Sequence, residues 1–322
     1  MKAFLTGGTG FLGSRLAARL RDRGDDVVCL VRSPEKGRSL EGIGCTLVQG
    51  DLSATDVMRS GMGGCDAVFH LAADYRVGLK PEKVPSMEKS NVEGTRNVLD
   101  AAIAAGVARI VYVSTVAVFG NTRGQVVDET YEHPGGGHTS HYERTKLEAH
   151  HVAKDRIAAG APIVIVQPGS IYGPGDASAT GGIIDQASKG KLPMVSFGSM
   201  GLTMVHVDDV VDGTLAAHDK GRTGEAYVLG GEVTSMREVV DAAAQAGGKK
   251  PPKLSLPNWA IKSMVPFAPV VTKAMKLPPN MKELVSSADG VTFWAKHDKA
   301  ARELGYAPRD LRAGLRETVS PR

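Results

Sequence analysis

The chain has 322 residues, of which 42% are hydrophobic and 23% charged, an ordinary composition for a soluble globular protein with one large domain and a smaller lobe. A formal net charge of only +4, with no basic run that carries interleaved aromatics, argues against a nucleic-acid-binding class. Three scattered cysteines, no apolar N-terminal segment and no apolar stretch near the roughly 18 residues of a membrane span indicate a cytoplasmic protein without a disulfide framework.

The first predicted elements are a buried strand, a tight glycine turn and the start of a helix, within residues 2–13, KAFLTGGTGFLG. Gly7 would make the sharp turn, and Gly10 would let the backbone approach a pyrophosphate. Gly13 would let the helix pack closely on the strand. The helix N-terminus would then direct backbone N–H groups at the phosphates. This stretch predicts a dinucleotide-binding loop, because the glycines follow a strand and open a helix.

Further apolar runs rich in Val and Ile alternate with stretches of helical spacing. The predicted strands lie at 27–31, 46–49, 66–71, 109–114 and 163–167, and the predicted helices at 11–22, at 87–105 and from near Ser140. This alternation predicts an α/β fold, with a Rossmann-type, doubly wound parallel sheet covered by helices on both faces.

The regular alternation of strands and helices ends after Gln167, where Pro and Gly interrupt the chain and the predicted elements become shorter. We therefore predict a dinucleotide-binding Rossmann domain over residues 1–168, with elements at about 203–230 returning to its sheet. Residues 169–202 and 231–322 would form the smaller substrate-binding lobe.

The end of the second predicted strand bears on the choice of cofactor. NAD-dependent enzymes of this fold place Asp or Glu there, where the carboxylate bonds the ribose 2′-hydroxyl. This chain instead has Arg32, followed by Ser33 and Lys36. A guanidinium can bond a 2′-phosphate through two N–H groups. We therefore expect NADP(H), with NAD as the alternative and Arg32 then solvated or stacked on the adenine.

A phenol and an ammonium lie four residues apart at Tyr142 and Lys146, on one face of a predicted helix. The ammonium would stabilise a phenolate and lower the pKa of Tyr142, making it a proton donor near neutral pH. Ser114 and Thr115 end the fifth predicted strand, at the sheet edge where ligands bind in such folds. Either hydroxyl could hold a substrate carbonyl oxygen.

Eight short motifs follow one another in the order of a known family. They are TGGTGFLG at 6–13, GDL at 50–52, HLAA at 70–73, NVEGT at 91–95, VST at 113–115, YERTK at 142–146, QPGSIYGPGD at 167–176 and VHVDDV at 205–210. Together they resemble the extended short-chain dehydrogenase/reductases, the NAD-dependent epimerase/dehydratase family. Within it, the chain is most similar to dihydroflavonol-4-reductase-like and hopanoid-associated sugar-epimerase-like proteins, the latter through AADYR at 72–76.

The resemblance implies a role for each matching residue. With Arg32, Ser33 and Lys36 from the strand end above, the residues expected to bind the cofactor are Gly7, Thr9, Gly10, Phe11, Leu12, Gly13, Asp51, Leu52, Leu71, Ala72, Ala73, Tyr142, Lys146, Pro168, Ser170 and Ile171. Tyr142 would exchange the proton with the substrate, Lys146 would bond the nicotinamide ribose, and Asn91 would support a water near Lys146. The family usually has Ser where this chain has Thr115, so the choice between Ser114 and Thr115 stays open.

The resemblance also implies a reaction and an assembly. We expect an NADP(H)-dependent reductase of an apolar aldehyde or ketone. The alternatives are a nucleotide-sugar epimerase or dehydratase with a tightly held cofactor, and a non-catalytic dinucleotide-binding scaffold. Related enzymes pair two helices from each subunit, which implies a homodimer through the helices near 87–105 and 142–158.

Two features compete with this interpretation. Histidines crowd one region, at His133, His138, His141, His150 and His151. The first three lie in a Gly-rich loop and the last two diverge on a helix, so we expect no metal site. Residues 254–279 combine apolar side chains, lysines and prolines. We expect them, with residues 170–200, to line the substrate pocket, and a weak membrane-surface contact is the competing interpretation.

Overall fold

The computed structural model describes residues 1–267 and 279–320, and its largest element is a seven-stranded sheet. All its neighbouring strands run parallel, in the order β10-β6-β5-β4-β1-β2-β3. These strands are β1 (Lys2–Thr6), β2 (Asp26–Val31), β3 (Thr46–Gln49), β4 (Ala67–His70), β5 (Arg109–Val113), β6 (Ile163–Pro168) and β10 (Ala226–Leu229). The predicted α/β, doubly wound fold is confirmed.

Helices cover both faces of this sheet. One face carries α1 (Phe11–Asp22), α2 (Pro34–Gly42), α8 (Val207–Lys220) and α12 (Asp298–Leu304), and the other carries α3 (Thr55–Met62), α5 (Gly94–Ala104) and α6 (His141–Ala158). Most side chains of these strands are buried, except in the edge strand β3, because an apolar helix stripe covers each face.

The helix predicted over 87–105 begins earlier and is interrupted. Helix α4 (Val84–Glu88) continues through a π-helical turn at Lys89–Glu93 into α5. Helix α6 begins as expected, because the Ser140 hydroxyl accepts a hydrogen bond from the Glu143 N–H at 3.1 Å and caps it.

The smaller lobe contains two short sheets. One has the order β11-β9-β7, and the other pairs β12 with β8. Its strands are β7 (Ser170–Tyr172), β8 (Met194–Ser196), β9 (Gly201–His206), β11 (Glu232–Ser235) and β12 (Leu254–Leu256). Its helices are α7 (Ala179–Ser188), α9 (Met236–Ala246), α10 (Asn258–Met264), α11 (Met281–Ser286) and α13 (Leu311–Val319).

Two segments pack with a different part of the structure from the one predicted for them. Strand β9, placed among the returning elements, belongs to the smaller three-stranded sheet. Helix α12, placed in the smaller lobe, packs its buried Ala300 and Leu304 in the core beneath the large sheet. The domain boundary at residue 168 stays a prediction.

The segment predicted to line a pocket or touch a membrane is described only in part, since residues 268–278 lie outside the described ranges. Within the described part, Ile261 is buried, whereas Leu254 is 64% and Trp259 73% exposed. No helix of residues 1–267 and 279–320 is long and apolar enough to cross a bilayer. Both interpretations of the segment stay predictions.

Candidate active site

The glycine loop between β1 and α1 has the geometry that the sequence predicts. Gly7 has a positive φ of 79°, and a Cβ there would lie 2.7 Å from the Ala72 nitrogen. A Cβ on Gly13 would collide with the Gly7 carbonyl oxygen. Only glycine fits these positions without displacing backbone. Helix α1 has Gly10 as its N-cap and no side-chain cap, so its first N–H groups are left for a ligand.

The other residues predicted to bind the cofactor lie along the same carboxyl edge of the sheet. Thr9 and Gly10 are exposed and Phe11 and Leu12 half-buried, at the start of α1. Asp51 and Leu52 follow β3, Leu71–Ala73 follow β4, Pro168 ends β6, and Ser170 and Ile171 lie in β7. The parallel strands therefore bring together residues as distant in sequence as Thr9 and Pro168, because their carboxyl ends share one edge.

Arg32 follows β2 at that edge and is exposed. Within the described chain it makes no hydrogen bond or ion pair, although its charge helps to lower the pKa of Asp51 after the hydrogen bonds from Ser53. Ser33 is the N-cap of α2 but its hydroxyl caps nothing. Lys36 is exposed in the same helix. The turn between β2 and α2 thus offers the Arg32 guanidinium and the Ser33 hydroxyl, neither of which is hydrogen-bonded within the described residues.

Tyr142 lies in the first turn of α6 and faces two other side chains. The Thr115 hydroxyl lies near its phenol and acts to lower the pKa of Tyr142. The ring of Tyr75, 60% exposed in the loop after β4, packs edge-on against the Tyr142 ring with the centroids 4.7 Å apart. A phenol, a hydroxyl and an accessible aromatic surface therefore meet at the end of β5.

The pKa of Tyr142 corrects one prediction. Burial, and then the neighbouring Tyr75, raise the pKa of Tyr142, whereas the Thr115 hydroxyl opposes the shift. The predicted lowering by Lys146 is wrong for this structure. The ammonium is directed at β5 rather than at the phenol, so desolvation of the phenolate outweighs any stabilisation of its charge.

Lys146 is buried and bonds only to β5. Its Nζ donates to the Val113 carbonyl at 3.0 Å and lies 3.4 Å from the Tyr112 hydroxyl. Burial with no carboxylate partner lowers the pKa of Lys146 to about 7. Both the ammonium and the amine are therefore populated near neutral pH, which suits a group that exchanges protons.

The two candidate hydroxyls at the end of β5 point to different partners. The Thr115 hydroxyl accepts the Ala117 N–H at 3.2 Å and lies near enough to Tyr142 to affect its pKa. The Ser114 Oγ instead lies 3.0 Å from His150 Nδ1 on α6. Thr115 is thus the hydroxyl beside the phenol, and Ser114 belongs to a different set of contacts.

Asn91 lies in the π-helical turn, a type of distortion found often at functional sites. Its amide nitrogen donates to the Asp74 carbonyl and to the Thr145 hydroxyl, both at 3.0 Å, and its oxygen accepts the Asp74 N–H at 2.6 Å. Both donors are therefore used. Asn91 fixes the loop that carries Tyr75, and its predicted water contact stays a prediction.

Sequence reasoning did not find the buried network beneath the site. His70 at the end of β4 lies 2.7 Å from the Thr6 hydroxyl and 3.0 Å from that of Thr95. Its ring stacks on that of Tyr112, with the centroids 5.6 Å apart. The only sequence signal was the position of His70 at a predicted strand end.

Three potential metal ligands, His133, His138 and Glu143, have donor atoms within 4.8 Å of one another. The Gly135 N–H donates to His133 Nδ1 at 3.0 Å, so Nε2 carries the ring proton and donates to the Glu143 carboxylate at 2.9 Å. That Nε2 has no lone pair for a metal. The cluster ties the Gly-rich loop to α6 beside Tyr142, and the absence of a metal site stays a prediction.

The model of the NAD dependent epimerase/dehydratase family matches residues 3–230. The chain belongs to this family. The predicted resemblance to the extended short-chain dehydrogenase/reductases is thereby confirmed, and the protein is an oxidoreductase-type enzyme of that superfamily, which depends on a nicotinamide dinucleotide.

Relatives within the family have both reductase and sugar-nucleotide names. A Synechocystis sp. protein that carries the name dihydroflavonol 4-reductase is 34% identical over 328 residues, covering 98% of this chain and 93% of that protein. A 4-hydroxy-2-methyl-3-oxo-4-farnesyl-3,4-dihydroquinoline-1-oxide ketoreductase of Stigmatella aurantiaca is 31% identical, with 96% and 92% covered. The structure of MoeE5 in complex with UDP-glucose and NAD has a TM-score of 0.77 at 25% identity, with 99% and 97% covered.

Proposed function

We propose that this protein reduces an apolar aldehyde or ketone to an alcohol with NADPH, with Tyr142 as the proton donor. The observation that carries the proposal is that the Tyr142 phenol and the Thr115 hydroxyl lie near one another after the end of β5, at the carboxyl edge of the sheet. A carbonyl oxygen held by both hydroxyls would accept the Tyr142 proton as its carbon is reduced. Burial keeps the phenol protonated and therefore able to donate.

The glycine loop and the edge of β2 would hold the cofactor, which supplies hydride to the carbonyl carbon when it is bound. The uncapped N-terminus of α1 fits a pyrophosphate, and the close approach of Gly7 to Ala72 leaves no room for a side chain in the cradle. The Arg32 guanidinium and the Ser33 hydroxyl, which bond to no other side chain within the described residues, fit a 2′-phosphate.

The preference for an apolar carbonyl rests on the wall of the site and on the relatives. The exposed Tyr75 ring beside Tyr142 offers an aromatic surface to a substrate. Two relatives are named as a dihydroflavonol 4-reductase and a ketoreductase of a farnesyl-bearing dihydroquinoline oxide, and the farnesyl group of the latter substrate is apolar.

A second candidate function is a nucleotide-sugar epimerase or dehydratase, in which hydride returns to the same molecule. The likeness to MoeE5 bound to UDP-glucose and NAD favours it. In that case the cofactor stays bound and is not consumed.

Net cofactor consumption separates the two functions. We expect the purified protein, with NADPH and a panel of apolar aldehydes and ketones, to oxidise one NADPH for each alcohol formed. Absorbance of NADPH and mass spectrometry of the product measure this. Conversion of UDP-glucose with no net NADPH oxidation, and no reduction of any carbonyl, would replace the first proposal by the second.

We further propose a homodimer through α5 and α6, by a two-fold contact. Of the apolar residues on these helices, Val98 and Leu99 are fully buried in the chain's own core, whereas Ile103 is 39% exposed. Light scattering at micromolar concentration should give twice the chain mass. Ile103→Glu should give a monomer, because it puts a charge in an apolar contact.

The matched control for the dimer is Val126→Glu, which makes the same kind of change at an exposed apolar residue in a loop distant from both helices in sequence. A wild-type protein with the mass of one chain would refute the dimer, and equal effects of the two variants would refute this interface.

A further inference from the structure

A short helix of the smaller lobe contacts the first turn of the helix that carries Tyr142. The Glu283 carboxylate, on α11, accepts the His141 N–H at 2.8 Å. His141 is the first residue of α6 and directly precedes Tyr142. On the same helix, the Ser286 hydroxyl lies 2.7 Å from the Thr139 carbonyl oxygen. Two side chains of α11 therefore hold the chain where it enters α6.

The carboxylate of Glu283 satisfies a requirement of α6 itself. The first N–H groups of a helix have no partner within it. In α6 the Ser140 hydroxyl accepts the Glu143 N–H, and Glu283 accepts that of His141. The positive end of the helix dipole also favours a carboxylate at this place. Glu283 is only 7% exposed, so water competes little for the contact.

The same segment also holds the loop on the other side of Tyr142. Asn280 caps α11, since its side-chain oxygen accepts the Glu283 N–H at 3.2 Å. The Asn280 N–H donates to the Gly78 carbonyl at 3.0 Å, in the loop whose Tyr75 ring packs against the Tyr142 ring. The smaller lobe thus contacts both segments that flank the phenol, and the contact of Glu283 is the one next to Tyr142 in sequence.

We propose that Glu283 is a positioning residue for proton transfer, which fixes the first turn of α6 and with it the place of the Tyr142 phenol. The inference rests on the proposed function, in which Tyr142 protonates the carbonyl oxygen. Glu283 acts through the His141 backbone. Without this contact the first turn can fray, which would move the phenol away from Thr115 and from the substrate carbonyl. A misplacement of about 1 Å can cost much of the rate.

Turnover of single and double variants tests whether Glu283 acts through Tyr142. Glu283→Ala should lower kcat by about tenfold or more and leave the affinity for NADPH unchanged. Glu283→Gln should recover most of the loss, because its amide oxygen can still accept the His141 N–H. Added to Tyr142→Phe, which lacks the proton donor, Glu283→Ala should cause no further loss. An equal loss in both backgrounds would overturn the proposal, because the two residues would then act independently.

Glu232→Ala is the matched control for the loss of a carboxylate contact at a helix start. The Glu232 carboxylate accepts the N–H of Leu311, the first residue of α13, at 3.1 Å. Helix α13 carries none of the candidate site residues, so kcat should stay within a few-fold of the wild type. A loss as large as that of Glu283→Ala would overturn the proposal. Glu283→Asp, whose shorter side chain withdraws the carboxylate from His141, is the second variant should Glu283→Ala not fold.

Hydrogen exchange measured by mass spectrometry gives a readout that needs no activity. The peptide over residues 139–146 should exchange faster in Glu283→Ala than in the wild type or in Glu283→Gln. In Glu232→Ala it should exchange as in the wild type. Unchanged exchange of this peptide in Glu283→Ala would overturn the proposal. If instead the wild type oxidises no NADPH with any carbonyl, the proposed function fails, which is a distinguishable result.

Discussion

Replacing Tyr142 by Phe is expected to lower turnover by at least about a hundredfold, because the change removes the proton donor of the proposed reaction. The ring itself would remain packed against Tyr75, with the centroids 4.7 Å apart in the unmodified protein. The affinity for NADPH should therefore change little. Steady-state kcat with the best carbonyl substrate, and a fluorescence titration with NADPH, measure the two quantities.

Tyr75→Phe is the matched control for this experiment, since it removes the other phenol of the site and keeps its aromatic packing. Its turnover should stay within a few-fold of the wild type. Turnover of Tyr142→Phe within the same few-fold would refute the assigned role. A large loss in Tyr75→Phe with little loss in Tyr142→Phe would show that Tyr75, and not Tyr142, donates the proton.

Replacing Arg32 by Asp is expected to reverse the preference between the two cofactors. A charge-assisted hydrogen bond contributes about 1.5–3 kcal/mol, so the wild type should favour NADPH over NADH by about tenfold or more. In the variant, the new carboxylate would repel the 2′-phosphate and could bond the 2′-hydroxyl of NADH. Values of kcat/KM for both cofactors in both proteins test this.

The control for charge alone is Arg38→Asp, which makes the same change at an exposed arginine in α2. We expect it to shift the ratio far less than Arg32→Asp, because an exposed charge without direct contact is screened by solvent and salt. Equal cofactor preference in the wild type, or an unchanged ratio in Arg32→Asp, would contradict the assignment of NADP(H).

The fold could be predicted from local sequence because each signal was local. The apolar runs, the glycines of residues 7–13 and the Ser140 cap each describe a few neighbouring residues, and the structure places a strand, a turn or a helix at each. The interruption by the π-helical turn at Lys89–Glu93 could not be predicted, because Asn91 is held there by Asp74 and Thr145 from other parts of the chain.

The candidate site, too, could be predicted only in part from the sequence. The spacing of Tyr142 and Lys146 put them on one helical face from sequence alone. Which partner each would meet was decided by tertiary structure: β5 takes the Lys146 ammonium through the Val113 carbonyl, and the Tyr75 loop covers the phenol.

The direction in which the pKa of Tyr142 shifts follows from those partners and not from sequence spacing. By itself, the sequence determined the glycine loop between β1 and α1, the strand–helix alternation and the residue types at positions 142, 146 and 32. Only the folded chain decided that Thr115 faces the phenol and that Ser114 faces His150. Neighbouring side chains after an extended strand point to opposite sides, and what lies on each side is brought there by distant segments.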